Sequence, residues 1–120
     1  MKRRSYWITI GVLFVSFVVW RTWVPGRSFD PDLWHSETLM QEGIRLGMAD
    51  RLIARPTLKN KTRAEVVEML GEPPETEYFR DWDLVYWLGT ERGFMNIDSE
   101  WLVLRLHENG RVAECRIVRD

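Results

Sequence analysis

Hydrophobic positions along this chain change period several times. Tyr6 to Trp20 is an almost unbroken apolar run. Met40, Ile44, Met48 and Leu52 then recur at spacing four, the stripe of an amphipathic helix. From Leu84 the period becomes two, as in strands with one face turned to a core. Between the last two regimes lies a short helix signal: Thr62 and Glu65 are spaced as a capping box. Ala64, Val67 and Leu70 fall on one face, with Val66 and Met69 widening it. Gly71 is placed to close that helix in the left-handed conformation, and Pro73-Pro74 cannot continue it.

Around these elements the punctuation is clear. Val24 to Pro31 is a linker, ending in Asp30 as N-cap and Pro31 at the first helical position. Helical composition follows as far as Arg55, and Pro56 stops it. Gly43 and Gly47 each weaken a helix interior by about 1 kcal/mol relative to alanine, so this stretch is expected to break near them. Leu84–Leu88 predicts a first strand ending at Gly89. Trp101–Leu106 is a second strand, with Leu102, Leu104 and Leu106 on one face. Val112–Val118 is a third, with Ala113, Cys115 and Ile117 opposite Glu114 and Arg116. Glu108-Asn109-Gly110 between the last two is a hairpin signal. Helices followed by a three-stranded antiparallel sheet define an α+β two-layer domain.

The first apolar run needs a different environment. Extended to Val24, it forms about 28 Å of helix at 1.5 Å per residue, enough to cross a bilayer core. Arg21 can snorkel, and Tyr6 and Trp7 at one end with Trp20 and Trp23 at the other are placed as interfacial belts. A cleaved signal peptide shares the basic start and apolar core. It also wants small residues in an A-x-A-like pattern, which Arg21–Arg27 does not offer in good register, so an uncleaved anchor is favoured. Lys2, Arg3 and Arg4 precede the run, while Arg21 and Arg27 follow it. That bias favours a cytoplasmic N-terminus and an extracytoplasmic C-terminal domain. The resulting divisions are an anchor with basic flanks at 1–27, a helical linker segment at 28–57 and an α+β domain at 58–120.

Charge follows this division. Up to Arg27 there are five basic and no acidic residues; the remaining 12 basic and 18 acidic residues leave the rest at −6. An acidic domain with no basic stripe is a poor nucleic-acid binder, because phosphate neutralisation supplies most of that affinity. His35 and His107 have no partner at a metal-like spacing. Cys115 alternates inward as a small buried hydrophobe, without a histidine arranged to activate it. Asp81, Asp83, Asp98 and Glu100 flank the first two strands without a calcium or acid–base signature, and read as a solvated strand edge. No cofactor, metal or catalytic residue is expected.

Aromatic residues carry the stronger signal. Tyr78, Phe79, Trp82, Tyr86, Trp87, Phe94 and Trp101 crowd one short span. Tyr86 and Trp87 are strand neighbours and point to opposite faces, so aromatic surface is expected on the side the helices do not cover. Phe94-Met95, after Glu91-Arg92-Gly93, is the best candidate for an exposed apolar tip. Phe94, Met95, Trp82, Trp87 and Trp101 are therefore the candidate partner-binding residues.

The motif Leu58-x-Asn60-Lys61-Thr62-x-x-Glu65-Val66-x-x-x-Leu70-Gly71-x-Pro73, with three strands after it, resembles the SmpA/OmlA (BamE-like) family. The likeness runs from about Leu58 to Asp120. It implies helices packed on a three-stranded sheet, no catalysis, and a supporting role in a cell-envelope complex such as the outer-membrane barrel-assembly machinery. The chain departs from the family in two respects. Asn60 stands where glycine is usual, and the transmembrane anchor replaces the lipid-attachment cysteine. The expected function is a membrane-anchored interaction or scaffold domain of the bacterial envelope with a protein partner. The alternative is a cell-wall glycan-binding module with Trp82, Trp87 or Trp101 as stacking platform. A small hydrolase using the acidic pairs has no catalytic signature behind it.

Overall fold

The computed structural model describes residues 26–36, 43–92 and 97–120. The anchor with Tyr6, Trp7, Trp20 and Trp23, Met40 of the apolar stripe, and Phe94-Met95 lie outside these residues. Among the described residues no helix is long and apolar enough to cross a membrane. Helices α1 (Pro31–Trp34), α2 (Ile44–Ala54) and α3 (Arg63–Leu70) precede strands β1 (Leu84–Thr90), β2 (Ser99–Leu106) and β3 (Val112–Arg119). The strands form an antiparallel meander in the order β1-β2-β3, and the helices pack against it to give an α+β fold.

Asp30 caps α1 as its sequence suggests. Its Oδ1 accepts from the amides of Asp32 (3.0 Å) and Leu33 (3.5 Å), with Pro31 behind it. The expected break comes at Gly43, which precedes α2 with a left-handed φ of 74° that a right-handed helix cannot continue. Gly47 stays inside α2 and has another use. The Arg27 amide donates to the Gly47 carbonyl at 2.8 Å, and a Cβ on Gly26 would stand 2.3 Å from that same oxygen. Arg51 adds bonds to Ser28 Oγ (2.7 Å) and the Gly26 carbonyl (3.1 Å). Residues 26–28 are thus strapped to α2. The 28–57 segment supplies Trp34, Leu46, Met48, Ala49 and Leu52 to the core shared with residues 58–120.

The capping box on α3 is formed. Thr62 Oγ1 accepts from the Glu65 amide at 3.2 Å, and Glu65 Oε1 accepts from the Thr62 amide at 3.4 Å. The buried face differs from the one expected: Val66 and Leu70 are buried with Met69 packed beside them, and Ala64 is exposed. The roll of α3 is set just upstream, where the Asn60 amide donates to the Val112 carbonyl and the Val112 amide to the Lys61 carbonyl. Asn60 takes φ 67° there, a left-handed turn that asparagine tolerates better than most residues. Gly71 has a positive φ of 87°, but its ψ of 171° lies outside the left-handed helical region and is accessible essentially to glycine alone.

Leu84, Tyr86 and Leu88 from β1, and Leu102 and Leu104 from β2, face the helices. On β3 the expected set shifts. Leu106 pairs with Val112 and Arg105 with Glu114, leaving Ala113 as the extra residue of a bulge. Val112 instead of Ala113 therefore joins Cys115 and Ile117 at the core. At the centre, Trp34 is wholly buried and donates from its indole nitrogen to the Leu70 carbonyl at 2.9 Å. Its ring lies 5.9 Å from Phe29 and 6.4 Å from Tyr86, within the range of favourable tilted and edge contacts. Removing the α3 cap is a clean probe of this frame. Thr62→Ala should lower unfolding free energy by about 1 kcal/mol in urea titration, with the circular dichroism of the folded state unchanged.

Candidate interaction surface

Successive side chains on a strand point to opposite faces, so an apolar β2 needs cover on both. Helices cover one. On the other, Val85, Trp101 and Val103 form a second buried cluster, flanked by half-buried Phe79, Trp82, Trp87 and Val118. Its lid is the segment after α3. Phe79 turns the chain with φ 57°, and the Trp82 amide donates back to the Phe79 carbonyl at 3.0 Å. Tyr78 and Phe79 are thereby set against Trp101, with ring centroids 5.6 and 6.2 Å away. The Trp101 indole nitrogen donates to Asp120 Oδ2 at 2.9 Å, pinning its polar end.

The outer edge of this cluster reaches solvent. Tyr78 there is 55% exposed; with Ile97, which lies on the approach to β2 outside the cluster and is 72% exposed, it makes up the exposed large apolar side chains among the described residues. Between the lid and β1 lies a cleft of about 290 Å³ lined by Pro73, Pro74, Tyr78, Phe79, Trp82 and Val85. Of the tryptophans expected at a partner face, Trp82 and Trp87 are half-buried and Trp101 is only 8% exposed. The Arg105 guanidinium lies 4.3 Å from the Trp82 ring centre, a cation–π contact that occupies one ring face. Tyr86 lies on the helix side, donating its hydroxyl to the Gly71 carbonyl at 2.8 Å. Burial, with Glu72 nearby, pushes its pKa up to about 12, so it stays a neutral donor.

The acidic residues do not converge. Asp83 Oδ2 accepts from the Leu106 amide at 2.7 Å and so extends the sheet pairing. Glu100, read from sequence as part of a solvated edge, is 2% exposed. It accepts from Arg92 Nε and Nη2 (each 3.0 Å) and from the Arg92 amide (2.9 Å), and lies 3.8 Å from Arg119. Arg92 reaches on to Asp50 at 2.6 Å, joining α2 to the sheet. Burial alone would raise the Glu100 carboxyl, but the Arg92 hydrogen bonds outweigh it and hold the pKa below the ordinary value. Among the described residues no three His, Cys, Asp or Glu side chains are grouped to hold a metal ion. Cys115 lines a hollow of about 200 Å³ with Leu52, Ile53, Leu58, Lys59 and Glu114, and burial pushes its thiol up to about 12, so it stays protonated at neutral pH.

A second charged residue is buried without having been singled out in the sequence. Arg45 is 8% exposed; its Nε donates to the Trp34 carbonyl (2.7 Å) and Nη1 to the Trp87 carbonyl (2.9 Å). The row Arg45, Ala49 and Leu52, at i, i+4 and i+7, was the available signal that it lies on the inward stripe. No family model matches the chain, and no curated protein or solved structure matches it either.

The Glu100 network has a defined pH dependence. A carboxyl whose pKa is lowered on folding stabilises the protein at neutral pH. That contribution fades as pH falls below the ordinary glutamate value of about 4.3 and through the lower folded value. Glu100→Gln should cost roughly 1–3 kcal/mol at pH 7, and its deficit should be smaller at about pH 3. Urea unfolding at both values checks this; an equal deficit at both would assign the effect to shape and not charge.

Proposed function

We propose that this chain is a non-catalytic interaction module, held at a bacterial envelope membrane by residues 6–24, which binds a protein partner through the aromatic side of its sheet. The observation that carries the reading is Tyr78, more than half exposed on top of the Trp101–Phe79 cluster and beside the Pro73–Val85 cleft. Exposed aromatic side chains backed by packed ones bury area at low entropic cost and are enriched at binding hot spots. The sequence adds Phe94 and Met95 as further candidates for partner contact. Trp82 and Trp87 would form the half-buried floor of the surface, with Trp101 supporting them from below.

The basic N-terminal flank and apolar run support an anchor with a cytoplasmic N-terminus and an extracytoplasmic domain. The SmpA/OmlA-like motif, its capping box formed and its sheet in meander order, supports an accessory role in envelope assembly, extending to outer-membrane protein assembly. Glycan stacking gains less support, because Trp101 is buried and Arg105 lies over Trp82. Crosslinking and co-purification of the tagged full-length protein from its native host tests the proposal. The expected result is a reproducible set of envelope subunits, reduced several-fold by Tyr78→Ala. Tyr78→Ala also removes the Tyr78–Trp101 ring contact, so a loss of about 0.5–1.5 kcal/mol with the fold retained is expected alongside. Recovery unaffected by Tyr78→Ala and by alanine at both Phe94 and Met95 would remove this face from the interaction.

A further inference from the structure

Buried charges in folded proteins are paired, because an unpaired one retains its full desolvation cost. Glu100 obeys this rule, whereas Arg45 has no charged partner among the described residues. Among the described residues no carboxylate lies within ion-pair distance of the Arg45 guanidinium. Two of its five N–H groups go to the Trp34 and Trp87 carbonyls, and its carbon sits 4.6 Å from the Trp34 ring centre. The other three carry no hydrogen bond to a described residue. Tyr86 cannot serve as counter-ion, since its hydroxyl is held neutral. The arginine also lines a cleft of about 390 Å³ with Leu70, Glu72, Pro74, Tyr86 and Trp87, between the end of α3 and β1.

We propose that this cleft is a binding site for a carboxylate attached to an apolar group, with Arg45 as its anchor. A guanidinium has the planar fork that matches a carboxylate, and one already fixed by two carbonyls and a ring loses little freedom on binding. Leu70, Pro74 and the two aromatic residues supply the apolar wall, and the volume suits a small acid or the last residue of a peptide. Glu72 is the one acidic residue on the lining. It lies 3.7 Å from Arg63 and opposes an incoming anion, so it sets a ceiling on affinity. The site shares Pro74 and Trp87 with the Tyr78 face, but its anchor Arg45 comes from α2, and it does not depend on that face being used.

N-acetyl-phenylalanine and a short peptide ending in phenylalanine, each as free acid and as amide, are titrated into the full-length protein in a non-ionic detergent. Binding is followed by the indole N–H resonances of Trp34 and Trp87. Saturable shifts with the free acids and none with the amides are expected. Equal affinity for both acids points to a free small acid, and preference for the peptide to a partner's chain end; either supports the site. Glu72→Gln, at an exposed position, should tighten binding several-fold, and Arg45→Met should weaken it about tenfold or more. Should Arg45→Met fail to fold, the Glu72→Gln and amide arms still decide. No shift with either acid, or shifts equal for acid and amide and indifferent to Glu72→Gln, would overturn the proposal.

Discussion

Trp34 is the side chain on which the other elements depend. It comes from a helix of four residues that could not hold itself together, yet it touches both other described helices and β1. Its indole nitrogen takes the Leu70 carbonyl at the end of α3, its ring packs on Tyr86 of β1, and Arg45 of α2 stacks on it while bonding its carbonyl. The carbonyls at the last turn of a helix are orphaned, and in so small a domain they must find partners locally. Trp34 and Tyr86 answer two adjacent ones, at Leu70 and Gly71, with hydrogen bonds from aromatic rings that also fill the core. One pair of side chains thus closes α3, orients it over the sheet and fills the volume beneath it.

A three-stranded sheet with an apolar central strand leaves a second problem. Val103 and Trp101 alternate with Leu102 and Leu104, so half of β2 faces away from the helices. The chain answers with the 73–83 segment, kept from helix by Pro73-Pro74 and by the left-handed turn at Phe79, which folds Phe79 and Trp82 back over the outer face. The cover is incomplete at Tyr78. The irregular lid leaves an aromatic ring in solvent above a packed floor, and that is the physical ground of the proposed interaction surface.

Local pattern made much of this legible. The Asp30 cap, the Thr62–Glu65 box, the break at Gly43, the three strands and the Asn109-Gly110 hairpin all follow from a few neighbouring residues. What escaped depends on tertiary placement. The bulge at Ala113 adds one residue to a perfect alternation and has no local mark, yet it exchanges Ala113 for Val112 at the core. Ala64 and Val67 looked inward by spacing alone. The roll of α3 is decided by the Asn60–Val112 pairing 40 and more residues further along the chain. Trp34 was hidden in a polar helix start, where nothing local announces that a lone aromatic will be central. At the candidate surface the aromatic crowding was visible, but the order of exposure was not. Strand alternation told which face each ring takes, and only the lid decided that Tyr78 would be open and Trp101 closed.

The two buried charges show how the same residue class can carry opposite information. Glu100 is surrounded by Arg92 and Arg119, with Asp50 and Glu91 behind them, so its burial is internally compensated and reads as a clamp between α2 and the sheet. Arg45 is held by two carbonyls and a ring, contacts that fix its position without neutralising it, and desolvation by burial lowers its pKa. Carbonyl dipoles orient a cation and leave most of its charge unanswered. The Trp34 and Trp87 carbonyls account for a donor at this position, but two neutral carbonyls give no reason for a full positive charge. A site that receives an anion gives one, because the desolvation cost is then already met in the unbound protein and the incoming carboxylate finds its donors in place.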